Sequence, residues 1–192
     1  LTYGQYHAAL KANDEVVPLK ESDRVIQFLP ITHIFERGWS YLAFSEGCHI
    51  IINTNPHDIQ QSMRETHPTC MSSVPRFWEK VYQAVLDKID RSSVAKQRLF
   101  RHALEVGRRY NIDCKSRCKR PSPLLAMEYK LFDKMILRLV RKQIGLENAH
   151  LFPTAGATVS PAVERFVHSV GINMIVGYGL TESLATVSCD RE

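Results

Sequence analysis

The sequence contains no long run of apolar residues. Charged residues make up 23% of its 192 residues, and they interrupt every apolar stretch before the roughly 20 residues that a transmembrane helix needs. The chain is therefore not expected to cross a membrane. Its hydrophobic content of 44% is typical of an ordinary globular protein with one sizeable core. Internal repeats and low-complexity segments are also absent, which argues against a repeat architecture.

Cysteines are few and lack the paired spacing of a zinc site. The five are Cys48, Cys70, Cys114, Cys118 and Cys189. Although Cys114 and Cys118 stand four residues apart, no second pair completes a metal site of the usual kind. We therefore expect free thiols and a reducing, cytoplasmic location.

Acidic residues are scarce in one segment. The formal net charge is +5, and residues 108–120, RRYNIDCKSRCKR, hold six lysines or arginines and one aspartate. A solvated loop is the favoured interpretation. The alternative is a patch for anionic membrane headgroups or a phosphorylated ligand, with peripheral contact at a membrane surface. Because no recognition motif accompanies the charge, a nucleic-acid partner is not expected.

Short apolar runs alternate with segments of helical spacing. The runs are nearly continuous, so they predict strands covered on both faces, at residues 25–29, 49–52, 69–74, 150–155 and 173–176. Helical spacing is seen at Phe77, Val81, Val85 and Ile89, at Leu124, Met127, Leu131, Met135 and Leu139, and at Val163, Phe166, Val167 and Val170. The alternation predicts an α/β fold with a largely parallel sheet flanked by helices. Residues 1–192 are predicted to form a single α/β unit, in which residues 76–145 are a mostly helical insertion.

Unusual residues follow three of the predicted strands, where open α/β sheets bind ligands. In VGYGLTES, residues 176–183, Gly177 and Gly179 allow close approach of a ligand, and Tyr178 offers a face for stacking. Thr181 and Glu182 are predicted to begin a helix, where free N–H groups favour a phosphate and a carboxylate requires Mg²⁺ beside it. Local chemistry alone favours the other interpretation, a strand-to-helix turn capped by Thr181.

The other two strand ends are equally ambiguous on local grounds. The small residues 155–157 suit backbone packed against a flat ring or an acyl chain, and they also suit any tight loop. His33, after Pro30, is either an acid/base group or carboxylate partner, or a structural histidine, which local chemistry favours. Glu36 and Arg37 are predicted to pair with neighbours on a helix surface.

Together these segments resemble the adenylate-forming acyl-CoA synthetases of the AMP-binding superfamily, and within them the long-chain fatty acid type. YGLTES at 178–183 is similar to the family motif YGxTE, and TAGATVSP at 154–161 to its small-residue motif. LPITHIFERGW at 29–39 and VPRFWEKVY at 74–82 resemble segments of the long-chain members. The resemblance covers essentially the whole chain and implies part of the family's large N-terminal domain.

The resemblance implies a two-step reaction. ATP and a fatty acid form an acyl-adenylate and pyrophosphate, and coenzyme A then displaces AMP to give a thioester. By motif position, the residues around the adenylate and acyl chain are Gly156, Ala157, Thr158, Gly177, Gly179 and Leu180, with Tyr178 on the adenine. Nearer the reacting groups, Thr181 contacts phosphate, Glu182 binds Mg²⁺, and His33 lies beside the carboxylate.

Parts of the family pattern are missing from the chain. It has no Gly/Ser/Thr-rich phosphate loop, no ribose-binding aspartate motif and no C-terminal domain with a catalytic lysine. With a first residue that is not methionine, this predicts a segment of a longer enzyme, inactive by itself. Ala155 and Thr158 stand where the family usually has glycine and proline. These changes bear on the expected width of the acyl tunnel and not on nucleotide binding. The tryptophan gate of some bacterial members falls at Arg37 here, with Trp39 two positions on, so no gate is assigned.

Two alternatives to a long-chain fatty acid–CoA ligase stay open. One is an adenylating ligase for another carboxylic acid, since acid choice depends on tunnel depth. The other is a non-catalytic α/β module of the same fold. The intact pair Thr181 and Glu182 argues against the second.

Overall fold

The computed structural model describes residues 2–189. Its strands are short and belong to two sheets. Strands β1 (Arg24–Gln27) and β2 (His49–Ile52) form a parallel pair. Strands β3 (Phe152–Thr154), β4 (Met174–Tyr178) and β5 (Ser188–Cys189) form the second sheet, in which β3 and β4 are parallel and β5 is antiparallel.

The predicted strand at 69–74 is an extended segment between these sheets and not a regular strand. Isolated parallel bridges join Cys70 to Val25 and Leu151, and Ser73 to Thr154. The Ser73 N–H also donates to the carbonyl of Pro153 at 2.8 Å. The segment therefore lies between β1 and β3, and the spatial order is β2, β1, 69–74, β3, β4, β5. This largely parallel arrangement confirms the predicted fold class.

The helices cover both faces of this arrangement. They are α1 (Tyr3–Asp14), α2 (Ile34–Ser45), α3 (Ile59–Thr66), α4 (Pro75–Asp90), α5 (Val94–Arg108), α6 (Pro123–Phe132), α7 (Arg138–Ile144) and α8 (Pro161–Ser169). A π-helical turn, Asp133–Leu137, joins α6 to α7 in one continuous helix. The mostly helical stretch predicted at 76–145 is therefore present. None of the helices within residues 2–189 combines the length and hydropathy that crossing a bilayer requires.

The loop favoured for residues 108–120 is largely helical instead. A π-helical turn, Arg109–Cys114, and a 3₁₀ turn, Lys115–Arg117, continue from α5. The guanidinium of Arg108 donates to Glu105 at 2.7 Å and to Asp113 at 2.8 Å. These ion pairs link the end of α5 to the turn after it, which explains why this basic stretch does not extend into solvent as a loop.

Two hydrophobic clusters lie on opposite faces of the strands. Val25 packs with α2 in one cluster, while the next residue, Ile26, packs with Trp78 of α4 in the other. Met174 and Ile175 of β4 are divided between the clusters in the same way. Because successive strand residues point to opposite faces, both faces of β1 and β4 are covered, as their continuous apolar runs predict. In β2, Ile52 is 72% exposed, so the same prediction is not met there.

The helical spacing at residues 124–139 correctly predicts a helix, but its apolar stripe does not face the core. The five side chains are between 51% and 75% exposed, and they are Leu124, Met127, Leu131, Met135 and Leu139. The helix instead buries Leu125, Leu137 and Ile144. Helical periodicity thus identified the element and not the face that packs.

Candidate functional site

The loops after β3 and β4 border one open cleft of about 720 Å³. Six of the predicted site residues line it: Gly156, Ala157, Thr158, Gly177, Tyr178 and Gly179. The Tyr178 side chain is 60% exposed, so its ring is available to a ligand in the cleft. Parallel strands end at the same edge of the sheet, which explains why segments about 20 residues apart in sequence meet here.

A second, narrow cavity of about 60 Å³ lies between α1, α2, β3 and β4. Its apolar walls include Phe35, Trp39 and Leu184. Gly177 and Tyr178 line both this cavity and the open cleft, so they form the wall between the two spaces. The indole nitrogen of Trp39 is buried without a hydrogen-bond partner in residues 2–189.

The segment VGYGLTES extends β4 and then closes into a turn, so the predicted helix after it is wrong. Tyr178 is the last residue of β4 and pairs with Ser188 of β5. The N–H of Ala185 and the hydroxyl of Ser183 both donate to the carbonyl of Leu180, at 3.1 and 3.0 Å. Leu184 and Ala185 have positive φ angles of 58° and 80°, outside the helical range. Phosphate contacts at residues 181–182 would therefore come from side chains and not from a helix N-terminus.

Gly179 permits this turn. A Cβ atom there would lie 1.1 Å from the carbonyl oxygen of Ala185. The N–H of Val187 donates to the carbonyl of Tyr178 at 2.8 Å, and this hydrogen bond joins the two ends of the turn. Glycine at position 179 is thus required for the close approach of the chain's own backbone, and the predicted close approach of a ligand stays a prediction.

Glu182 and Thr181 lie on the exposed tip of the turn and line neither cavity. The Glu182 carboxylate makes no hydrogen bond or ion pair within the described residues. Mg²⁺ typically keeps several waters and takes one or two carboxylates plus phosphate oxygens. A single exposed carboxylate fits a metal shared with a bound nucleotide, and it does not form a complete metal cage by itself.

A separate cluster of three side chains that could bind a metal lies outside these loops. Its residues precede β1, precede β3 and belong to the 69–74 segment. The potential ligand atoms of Asp23, Cys70 and His150 lie within 4.8 Å of one another. They already bond to each other, with 2.8 Å from His150 Nε2 to Asp23 Oδ1 and 3.3 Å from His150 Nε2 to Cys70 Sγ. Burial raises the pKa of the Cys70 thiol to about 12, so the neutral thiol prevails at physiological pH. We interpret this cluster as a hydrogen-bonded link between strands.

His33 lies just before α2, in a loop that Arg37 holds in place. The Arg37 guanidinium donates to the carbonyls of Ile31 at 3.3 Å and Thr32 at 3.0 Å. The neighbours with which Arg37 pairs are therefore backbone carbonyls of the loop before α2. His33 itself is exposed, lines neither cavity and has no side-chain partner in the described part of the chain.

Glu36 was predicted to lie on a helix surface, and this prediction is wrong. Only 1% of it is exposed, and it accepts a hydrogen bond from the Ser72 hydroxyl. Burial raises the pKa of Glu36 from its ordinary value of 4.5 to about 7, although hydrogen bonds from Ser72 and the Phe28 backbone oppose the rise. The signal was present in the spacing, since Glu36 lies three and seven positions before Trp39 and Ala43, on the buried face of α2.

The predicted VPRFWEKVY segment supports the loop after β3. Trp78 is fully buried, and its indole N–H donates to Ser73 Oγ at 2.9 Å and Thr154 Oγ1 at 3.0 Å. The two hydroxyls lie 2.7 Å apart. Trp78 therefore ties the 69–74 segment to the last residue of β3, directly before the small residues of the cleft.

Comparison with known proteins relates this geometry to one family. The family model described as AMP-binding enzyme matches residues 1–192. The chain is 27% identical over 175 residues to the long-chain-fatty-acid–CoA ligase FadD15 of Mycobacterium bovis, covering 90% of this chain and 28% of that protein. It is 28% identical over 192 residues to the peroxisomal acyl-CoA ligase 891 of Penicillium brevicompactum, covering 98% and 26%. The chain thus spans only about a quarter of the length of these relatives.

A solved structure supports the fold. O-succinylbenzoate coenzyme A synthetase (MenE) from Bacillus subtilis, in complex with ATP and magnesium ion, matches with a TM-score of 0.59 and 12% identity. The match covers 99% of this chain and 28% of that one. At this identity, the likeness concerns the fold alone.

Proposed function

The chain belongs to the AMP-binding enzyme family, and on this premise we propose that it forms part of an ATP-dependent long-chain fatty acid–CoA ligase. The ligase activates the acid as an acyl-adenylate and transfers the acyl group to coenzyme A. Curated relatives that carry long-chain ligase names support this substrate class. The chain's own contribution is part of the adenylate site, so residues 1–192 alone are expected not to complete the reaction.

The observation that carries the proposal is the shared wall between the open cleft and the apolar cavity. An acyl-adenylate joins a polar nucleotide to an apolar chain, so its site needs two such spaces side by side. We place the adenine on the exposed Tyr178 ring in the cleft and the first part of the acyl chain beside Trp39. We place the mixed anhydride at Gly177, because this residue lines both spaces.

The chain's residues would act mainly by positioning. A carboxylate that attacks an α-phosphate meets strong repulsion between like charges, so alignment and charge neutralisation account for most of the rate. Mg²⁺, when bound by Glu182, supplies part of that neutralisation. Thr181 would hold a phosphate oxygen through its hydroxyl. His33, held by the loop that Arg37 fixes, would orient the carboxylate.

Replacing Glu182 tests the proposal most directly. In the full-length enzyme, Glu182→Gln is expected to lower fatty-acid-dependent pyrophosphate release by about 100-fold, with a higher Mg²⁺ requirement, because the charge toward the metal is lost. The matched control is Glu79→Gln, an exposed glutamate on α4. Full activity of Glu182→Gln would overturn the metal assignment. Pyrophosphate release by residues 1–192 alone would contradict the expected inactivity of this segment.

A ligase for another carboxylic acid is the second candidate, favoured by the small volume of the apolar cavity. At about 60 Å³, it is far smaller than the cleft for the nucleotide. Thioester formation by the full-length enzyme over acids of increasing length separates the two. A rate that peaks at long chains supports the leading proposal, and a rate that peaks at short or aromatic acids supports the alternative.

A further inference from the structure

The continuous helix from α6 through the π-helical turn to α7 exposes a row of large apolar side chains. The row, named the apolar stripe, is Leu124, Met127, Leu131, Met135 and Leu139. Single exposed hydrophobic residues are normal on protein surfaces, whereas contiguous rows mark interaction sites. This helix runs from Pro123 to Ile144, and the stripe, from Leu124 to Leu139, lies along about 22 Å of its surface.

Cations accompany the apolar stripe, and free acids do not. Four exposed basic residues lie on the same helix: Lys130, Lys134, Arg138 and Lys142. None of them has an ion pair or side-chain hydrogen bond within residues 2–189. The acids of this helix are partly buried and already engaged, Glu128 with His102 at 3.1 Å and Asp133 with Arg141 at 2.8 Å. The exposed side of the helix is therefore apolar and positively charged.

Helix α5 extends this surface. Leu99 is 44% exposed and lines the same groove, of about 540 Å³, as Met135 and Leu139. Lys96, which also lines the groove, is exposed. Two packed helices thus present one continuous surface of the same chemistry.

We propose that this surface docks on an anionic lipid bilayer. An amphipathic helix with apolar residues on one face and Lys/Arg beside them lies in the membrane interface, with its apolar side chains at the boundary of headgroups and acyl chains. The lysines would reach phosphate headgroups while their aliphatic stems stay in the apolar layer. A groove on a protein partner fits less well, because it would have to desolvate four cations interleaved with the apolar stripe, and lysine is depleted in protein interfaces.

The surface differs from the one that composition alone indicates. The basic segment 108–120 has the higher density of positive charge, but Arg108 already forms ion pairs with Glu105 and Asp113. That segment also has no exposed apolar row beside its cations. The proposed contact therefore shifts to α6 and α7, where charge and apolar surface coincide.

Vesicle sedimentation of the full-length protein tests the proposal. We compare phosphatidylcholine vesicles with vesicles that also contain phosphatidylserine, at low and high salt. Binding is expected mainly to the anionic vesicles and should weaken with salt. The double variant Leu131→Gln/Met135→Gln should lower the partition coefficient by about tenfold or more for both compositions, because apolar burial is lost. Lys130→Gln/Lys134→Gln should lower it only for the anionic vesicles.

Matched controls use exposed residues elsewhere, Phe44→Gln on α2 and Lys80→Gln on α4, which should leave the partition unchanged. Equal thermal unfolding of all variants shows that the fold is intact. Equal sedimentation of the double variants and the wild type would overturn the proposal. A change from dimer to monomer in the Leu131/Met135 variant, with unchanged vesicle binding, would likewise overturn it and assign the surface to an interface between copies.

Discussion

The buried carboxyl of Glu36 accepts a hydrogen bond from the hydroxyl of Ser72, and this contact joins α2 to the extended segment at the centre of the sheet. The second carboxyl oxygen, Oε1, is buried without a partner in residues 2–189. An ionised carboxylate is costly in such surroundings, which is why the pKa is raised. Glu36 directly follows Phe35, which lines the narrow apolar cavity, so its protonation concerns the helix that forms one wall of that cavity.

Stability should therefore fall as pH rises through the titration of Glu36. Between its ordinary pKa of 4.5 and its folded pKa of about 7, the folded state keeps a proton that the unfolded state has released. The free energy of unfolding should decrease over this window by up to roughly 3 kcal/mol and stay lower above it. Glu36→Gln should remove the decrease and be more stable than the wild type at pH 8, by urea unfolding. An unchanged pH slope in Glu36→Gln, or its loss in the exposed control Glu79→Gln, contradicts the assignment.

Gly179 and Gly177 should respond differently to alanine. A Cβ at Gly179 meets the Ala185 carbonyl oxygen at 1.1 Å, whereas the nearest atom to a Cβ at Gly177 is 3.7 Å away. Gly179→Ala should open the turn and cost about 2 kcal/mol or more, while Gly177→Ala should cost well under 1 kcal/mol. Limited proteolysis at residues 180–187 and thermal unfolding measure both effects. Equal resistance of the two variants to proteolysis would show that the turn does not depend on the close approach.

Gly107 should tolerate no side chain, because α5 and α8 approach closely there. A Cβ at Gly107 would lie 2.0 Å from the carbonyl oxygen of Ser169. Gly107→Ala should destabilise the fold by about 3 kcal/mol, since the helices must move apart. Gly4→Ala, on exposed α1 with no atom nearer than 4.0 Å, should instead stabilise by up to about 1 kcal/mol. Urea unfolding compares the two, and a stabilised Gly107→Ala variant would refute the packing.

The two tryptophans allow a comparison of how much a buried hydrogen bond contributes to the free energy of unfolding. Trp78 donates to Ser73 and Thr154, while the indole nitrogen of Trp39 has no partner in the described residues. Trp78→Phe should cost about 1–2 kcal/mol more than Trp39→Phe, because only the first change removes satisfied hydrogen bonds. Equilibrium unfolding of both variants measures the difference. Equal costs would mean that the Trp78 contacts contribute no net stability.

The sequence by itself determined the class of fold and the family. Continuous apolar runs at residues 25–29 and 173–176 predicted covered strands, and β1 and β4 lie there with both faces packed. Helical spacing after Pro75 predicted α4. These properties depend on near neighbours along the chain, because side-chain periodicity and start signals act over a few residues. The motifs that carry the family resemblance are also contiguous, so the family could be read without coordinates.

The tertiary structure alone decided which faces are buried and how the loops end. It placed Glu36 in the interior beside Ser72, left Leu131 and Met135 exposed, and turned residues 181–184 back on Leu180. The burial of Glu36 depends on a partner distant in sequence, the 69–74 segment beneath α2, and the turn depends on the pairing of β5 with β4. A helix with two apolar stripes can pack through either, and the choice follows from the surface it meets. Local sequence does not contain that surface, so the direction of a face, the pKa of Glu36 and the proposed membrane contact emerge only once the chain is packed.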